Sequence, residues 1–452
     1  MSVVTLFITL GLCQIAWILL GVLWVARRND EIPLLISTLL FYVFTFRFWA
    51  LLQGWASPVD ISNFGFDPID SESALDVQAI AILAETALLS VYMLAQRRRI
   101  DVPDQLASPE LLDWLKPRVI VLGVVCIFIS LWARRSVGIQ IASGKSMAFE
   151  VSSYISLFSM SLVGVAVLIA ALWKSRAFHA GGETFGAALL FVAIIYLTFQ
   201  PGMRFQFLGW CIAVTIILSS GQSFVRRVQV LAIGLVGAVG LFAVAGALRN
   251  TEDPTVELEQ SAWERLAFAQ DANMLDGFVL LRQVYPQQLG YSYGGEHLEI
   301  FERPIPRAWW PDKPVGGYMN KLGIITPETG FTLGISPSLF GSFYQEGGLV
   351  GVVLLSMIYG FGFGRLVSFS TRIVPLAGLL IRGILAAAIV PLLRGGDLPG
   401  VYAWFGMSFW PCVLFLWLRR HEFLARIPNW PQFADGVPVR LERDRSGEHS
   451  LV

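Results

Sequence analysis

The sequence predicts an all-α integral membrane protein with about eleven transmembrane helices and one long external loop containing amphipathic helices. Three observations predict it. The 452 residues are 55% hydrophobic and only 15% charged, with a mean hydropathy of +0.63, far too apolar for a soluble chain of this length. Apolar runs long enough to cross a hydrocarbon core of about 30 Å recur along the chain, and arginines and lysines collect in the short connections between them. One long polar stretch, Arg249 to Glu346, interrupts that rhythm.

Taken in order, the first span covers Val3 to Val25 and lacks the small-residue cleavage site of a signal peptide. Arg27 and Arg28 follow it, then a second span from about Pro33 to Gln53, then a loop holding Asp60, Asp67, Asp70 and Glu72 with no Lys or Arg. The positive-inside rule places the acidic loop outside and the arginines in the cytoplasm, which puts the N-terminus outside. A third span (about Ser73 to Ala95) ends in Arg97, Arg98 and Arg99. A fourth (about Val119 to Ala133) is followed by Arg134, Arg135 and Lys145, cations that parity puts on the wrong side. The fifth (about Val151 to Trp173) returns to Lys174 and Arg176, and the sixth and seventh meet in the turn from Gln200 to Arg204. The eighth (about Val228 to Leu248) delivers the long loop. The ninth (about Gly347 to Val367), tenth (about Pro375 to Leu393) and eleventh (about Gly400 to Leu418) complete the membrane part, and a tail of mixed charge, 419–452, is expected in the cytoplasm, partly disordered. The expected organisation is thus 1–248 for eight helices, 249–346 for the loop, 347–418 for three more helices, and the tail.

A formal net charge of zero argues for no nucleic-acid partner. Cys13, Cys126, Cys211 and Cys412 lie in apolar runs without ligand spacing, which predicts neither disulfides nor zinc. There is no fixed-period repeat and no Walker or Gly-x-Gly-x-x-Gly pattern, so neither a solenoid nor a nucleotide-driven pump is indicated. No cofactor is implied.

The densest part of the loop, Arg303 to Pro314, holds four prolines, three cations and two tryptophans. No helix interior tolerates that composition, and ordering it is costly without a task. Across the outer side lie Arg134, Arg135, Arg204, Arg249, Arg282, Arg303, Arg307, Lys313 and Arg394. Singly, such arginines snorkel or pair with loop carboxylates. Together they form a funnel for an anion, because guanidinium forks match phosphate oxygens. A phosphate-bearing ligand at an outer membrane face points to a lipid-linked sugar.

Arg47, Glu85 and Arg382 sit inside apolar segments and are expected to face the bundle interior, with Glu85 paired to Arg47 or Arg382 or lining a lipid-phosphate cavity. Val256 to Tyr285 has helical apolar spacing that suits amphipathic helices on the outer surface, placed to roof a cavity. Tyr291, Tyr293, Trp309, Trp310 and Tyr318 supply rings that stack on sugars or anchor at the interface.

Pro306, Arg307, Trp310, Pro311, Lys313 and Pro314 resemble the Pro-Arg-x-x-Trp-Pro-x-Lys-Pro stretch of Wzy-type O-antigen polymerases, which polymerise oligosaccharide repeat units. Gly341, Tyr344, Gly347, Gly348 and Gly351 resemble the glycine-rich start of the helix after that family's loop, and Met203–Arg204 resembles its outer-turn arginine. The resemblance spans roughly residues 200 to 400. It implies a GT-C-like, metal-independent glycosyltransferase in a bacterial inner membrane, with a periplasmic loop and N-terminus. The enzyme would join undecaprenyl-pyrophosphate-linked oligosaccharides into O-antigen or exopolysaccharide, with membrane lipid and a chain-length regulator and flippase of the same pathway as partners.

Such chemistry needs cations at the leaving pyrophosphate and a base for the acceptor hydroxyl. Arg204, Arg249, Arg282, Arg307 and Lys313, with Arg394 and Arg135, are assigned to the phosphates. His297 and Glu346 are the catalytic candidates, with Glu296 and Glu299 as alternative carboxylates. Three other readings fit parts of the pattern: a ligase moving glycan from undecaprenyl pyrophosphate to lipid A core, a monosaccharide transferase using Asp60, Asp67 or Asp70, and a lipid-glycan transporter. Charge concentrated on one face favours chemistry at that face over transport.

Overall fold

The computed structural model describes residues 3–60, 62–142, 149–199, 204–251, 273–303, 305, 309–310, 317–324 and 335–425. Among them the chain is helical throughout, with one isolated bridge between Ser338 and Gly395 and no strand. The helices are α1 (Val3–Arg28), α2 (Ile32–Leu52, π-helical over Phe41–Phe46), α3 (Ser71–Ala95), α4 (Pro109–Ala142), α5 (Phe149–Lys174), α6 (Gly182–Thr198), α7 (Arg204–Ser219), α8 (Phe224–Thr251), α9 (Met274–Val284), α10 (Gly295–Glu302), α11 (Ser338–Ser370), α12 (Pro375–Arg394) and α13 (Leu398–Leu418). Seven described helices, α1 to α4 and α11 to α13, are long and apolar enough to cross a bilayer, and Phe158–Lys174, Gly182–Thr198 and Phe207–Ser219 are shorter apolar helices. The protein is an all-α membrane protein.

Close packing of small residues sets the frame, as expected where lipid removes the hydrophobic drive between helices. Gly360 and Gly364 lay α11 along α3 with the two chains parallel: a Cβ at these positions would stand 2.1 Å from the Leu88 carbonyl oxygen and 2.7 Å from that of Tyr92. Gly209 brings α7 against the Ala387 carbonyl of α12, and Gly164 brings α5 against that of Ser408 in α13. α12 is the central post, buried at every position from Leu376 to Leu393 except Ile381. Arg134 and Arg135 follow the apolar stretch Pro109–Trp132 within one helix, α4, that continues to Ala142.

The three intramembrane charges are buried, but their partners differ from expectation. Arg47 pairs with Asp276 of α9 rather than with Glu85. Glu85 instead accepts from Gln14 Nε2 at 3.0 Å, and Gln14 is hydrogen-bonded by Thr45, to which Gln78 donates at 2.9 Å. Gln78, Glu85 and Tyr92 are seven residues apart, hence on one face of α3, and form a polar seam inside the bundle. At its far end Tyr92 donates to Asp30 at 2.8 Å, and Arg227 pairs with Glu31.

The connections gather at two ends. The described residues of 54–70 and 274–346 and the turn at Gly395–Asp397 share one end: Val59 and Ser57 bond the Arg47–Asp276 pair, Asp67 bonds Gln283, and Ser338 bridges Gly395. Residues 29–31, 97–106, 218–227 and 373–376 share the other, where Asn29 bonds Ile100 and Leu376 bonds Leu106. The amphipathic surface helices expected over Val256 to Tyr285 are corrected in part. Residues 252–272 lie outside the described residues, and α9 is buried at every position from Met274 to Leu281 and at Val284, with Arg282 and Gln283 alone partly exposed near its end. It lies between α3 and α11 as part of the core.

Candidate active site

The site is built on a break in α11. Its first half, Ser338–Glu346, is helical, and then Gly347 and Gly348 leave helical geometry, Gly348 with φ 62° and ψ −146°. Glycine is required at Gly348, both for that left-handed backbone and because a Cβ would meet the Tyr291 hydroxyl at 2.9 Å. The expected ninth span thus starts earlier than Gly347, at Ser338, in two pieces. The residues leading into the first piece seat on α9 at Gly277, where a Cβ would fall 2.5 Å from the Ser336 carbonyl oxygen.

Breaking a helix strands its last carbonyls, which must be satisfied elsewhere. Residues 291–294 do so: the N–H of Ser292 donates to the Gln345 carbonyl at 3.0 Å and that of Tyr293 to the Glu346 carbonyl at 3.0 Å. The same pass brings donors to the Glu346 side chain, which accepts from Ser292 Oγ at 3.0 Å, from the Gly294 N–H, and from the His297 N–H at 3.3 Å. Left-handed Gly294 then starts α10, and its first turn sets His297 Nδ1 2.8 Å from Glu346.

Proton positions follow from the chemistry of the partners. A carboxylate only accepts, so His297 donates from Nδ1; in the neutral imidazole its Nε2 then accepts from the Tyr359 hydroxyl at 3.0 Å, while Tyr402 donates to Tyr359 at 2.9 Å. Tyr402, Tyr359, His297 and Glu346 form one chain of aligned donors that ends on a carboxylate only 3% exposed. Phe343 lies nearly parallel to the imidazole, with centroids 6.3 Å apart, and closes one side.

A second cluster clamps α10. Lys321, in a one-turn helix at Tyr318–Lys321, reaches Glu296 at 2.6 Å and Glu299 at 3.0 Å, and Gln345 donates to Glu296 at 2.5 Å. Burial alone would lower the Lys321 ammonium, but the two glutamates reverse that and hold its pKa above the usual lysine value. Glu296 and Glu299, expected as alternative bases, are thereby engaged as structural partners. Arg303 meets Asp397 at 2.6 Å, and Asp397 caps α13 by accepting from the Gly400 N–H. These contacts fix both ends of the helix that carries His297.

Of the expected site residues, the structure unites His297 and Glu346. Arg282 lines a polar cleft of about 390 Å³ with Asp70, Glu72 and Asp76, and pairs with Asp76 at 3.4 Å. Arg394 ends α12 beside the bridge to Ser338, and Arg135 is exposed on α4. Arg204 opens α7 and Arg249 lies in α8, with both side chains outside the described residues, as are Arg307 and Lys313 entirely. Tyr318 is not a sugar platform: it is buried and donates to the Gly277 carbonyl at 3.3 Å. Tyr291 packs edge-on against both Tyr293 and Tyr344, and Trp309 is exposed.

Tyr359, Tyr402 and Asp276 are absent from the sequence-based candidates. The tyrosines hide in apolar runs where a core or belt role is the ordinary expectation, whereas Asp276, the one acid of an apolar helix, is a signal that a buried cation faces it. Among the described residues no group of three His, Cys, Asp or Glu side chains is placed to hold a metal. The fold and site define an integral membrane protein with a histidine–carboxylate dyad at one end of its helical bundle. No family model, curated protein or solved structure matches the chain.

Proposed function

We propose that the protein is a membrane glycosyltransferase that polymerises undecaprenyl-pyrophosphate-linked oligosaccharide units, with His297 as the general base. The observation that carries this reading is the Glu346–His297–Tyr359 chain at the break of α11. A base held by a buried carboxylate suits deprotonation of a sugar hydroxyl. The acceptor oxygen attacks the anomeric carbon as its proton passes to His297 Nε2, directly or through Tyr359. The bond from that carbon to the pyrophosphate oxygen breaks, and the leaving group departs with its negative charge. Arg204, Arg249, Arg307 and Lys313 are the cations assigned to receive it.

In this reading all eleven apolar helices cross the bilayer, the dyad end is the outer face of a bacterial inner membrane, and the N-terminus lies on that side. The exposed apolar residues Leu298 and Phe301 on α10, with Trp309 beyond it, support a dyad at headgroup depth, because such a face settles into the interface. Purified protein given undecaprenyl-pyrophosphate-linked repeat units should produce a ladder of lengthened glycans. His297→Ala should slow it by about 10²–10⁴-fold, the usual contribution of a general base, with the protein still folded. An undiminished ladder from His297→Ala removes the base assignment, and transfer only onto a lipid A core acceptor converts the reading to a ligase.

A further inference from the structure

We infer that the groove between α11, α12 and α13 holds the hydrocarbon chain of a polyprenyl-linked substrate, with the headgroup end at Tyr402. The groove has a volume of about 230 Å³ and is walled by residues such as Phe363, Ala388, Leu392, Phe405 and Leu416. Apart from the Trp404 indole, the Tyr402 hydroxyl is the one polar side-chain group among its lining residues. Along α13 it runs from Tyr402 to Leu416, fourteen residues or about 21 Å of helix axis.

Its three walls are all helices long and apolar enough to cross a bilayer, so its open side meets lipid, not water. A cleft whose polar groups are limited to a tyrosine hydroxyl at one end and an indole is poorly suited to ordered water or a glycan. An extended hydrocarbon chain fits both its lining and its length. Continuity with the dyad decides which chain. The Tyr402 hydroxyl that tops the groove donates to Tyr359, and Tyr359 donates to His297, so a lipid lying in the groove presents its head at the base. This assignment rests on the proposed glycosyl transfer and specifies how the substrate is held for it.

The test uses the full-length protein in nanodiscs with a polyprenyl phosphate carrying a diazirine on its terminal isoprene. Photolysis and peptide mapping locate the adducts. They should fall on α11 to α13 near Val413 and Leu416, and drop at least tenfold in Ala388→Trp, which fills the groove. Leu366→Trp, at the exposed rim where folding is undisturbed, should lower them too and raise KM for transfer with kcat little changed. Adducts spread over the outer faces of α1 and α4 and equal in all variants would overturn the assignment. So would a diazirine-tailed phosphatidylglycerol that labels the groove as strongly and is not displaced by polyprenyl phosphate. Groove adducts that persist in a wild type unable to transfer glycan keep the lipid site and reject the reaction; transfer unaffected by Leu366→Trp, with adducts elsewhere, keeps the reaction and rejects the site.

Discussion

Asp276 is the most consequential buried group to perturb, because its loss strands a charge. It is 0% exposed and its partner Arg47 is 2% exposed. Its two oxygens accept from Arg47 Nε at 3.2 Å, Arg47 Nη2 at 2.6 Å and the Val59 N–H at 3.0 Å. Asp276→Ala leaves the guanidinium with the Ser57 carbonyl alone, at 2.9 Å, and the Val59 N–H with nothing. Removing one member of a buried ion pair costs about 3–5 kcal/mol, whereas replacing both by apolar groups of similar size is near neutral. Arg47→Met with Asp276→Leu should therefore recover most of the loss. The assay is reversible unfolding in mixed micelles of a mild detergent and dodecyl sulfate, run on Arg47→Met, Asp276→Leu and the double. The expected coupling energy exceeds about 3 kcal/mol, because the double recovers most of both single losses. A coupling below about 0.5 kcal/mol would show that water or lipid headgroups already screen the pair, and the claim that it anchors α9 would fall. The stake is functional, since Gly277, next to Asp276, seats the half-helix that ends in Glu346.

Two other perturbations test the site and the far end of the bundle. Gly348→Ala should cost about 1–3 kcal/mol of backbone strain, push on Tyr291 and lower transfer at least tenfold, while Gly347→Ala, where a Cβ meets nothing within 4 Å, should be milder; equal effects would remove the steric argument. Burial pushes the Asp30 carboxyl up to about 6, against the opposing hydrogen bond from Tyr92, whereas the unfolded chain ionises near 3.9. The native state thus holds this proton longer than the unfolded one, and stability falls as pH rises from about 4 to 6, by about 3 kcal/mol in all. Unfolding followed at pH 5 and pH 7 should show a wild-type decline that Asp30→Asn flattens; parallel slopes would refute it.

The all-α membrane character is legible because one-dimensional hydropathy suffices to find long apolar helices, seven of which among the described residues are long enough to cross a bilayer, and the burial of Arg47, Glu85 and Arg382 follows from their apolar surroundings. Their partners were not legible, since Arg47 meets a residue 229 positions away in a helix whose spacing reads as amphipathic. That spacing misled because the 3.6-residue pattern reports apolar residues, not how many neighbours cover them, and α9 is enclosed on both faces. Gly347 and Gly348 were visible as glycines, but a glycine pair that starts a span and one that breaks a longer helix have the same composition. His297 and Glu346 stood out as titratable groups; what joined them across 49 positions was backbone capping by Ser292 and Tyr293, which no residue pattern announces.

Within the proposed transfer reaction, the geometry assigns the proton-moving role to one member of the dyad. Glu346 ends a half-helix whose last carbonyls are capped by the Ser292 and Tyr293 N–H groups, and its own carboxylate oxygens are filled by donors from Ser292, Gly294 and His297. Proton uptake there would displace a donor from each bond it replaced. His297 is 27% exposed, and its Nε2 has the Tyr359 hydroxyl alone to exchange for a substrate hydroxyl. In the proposed reaction Glu346 would therefore act as a positioning residue, fixing the imidazole tautomer and stabilising the imidazolium formed on proton transfer. Groups that act as a unit are non-additive in kinetics. Glu346→Gln should lower kcat with KM nearly unchanged, and combined with His297→Ala it should cost no more than His297→Ala alone. Multiplying losses in the double variant would mean that Glu346 acts on substrate independently of His297, and the assignment of roles would have to be reversed.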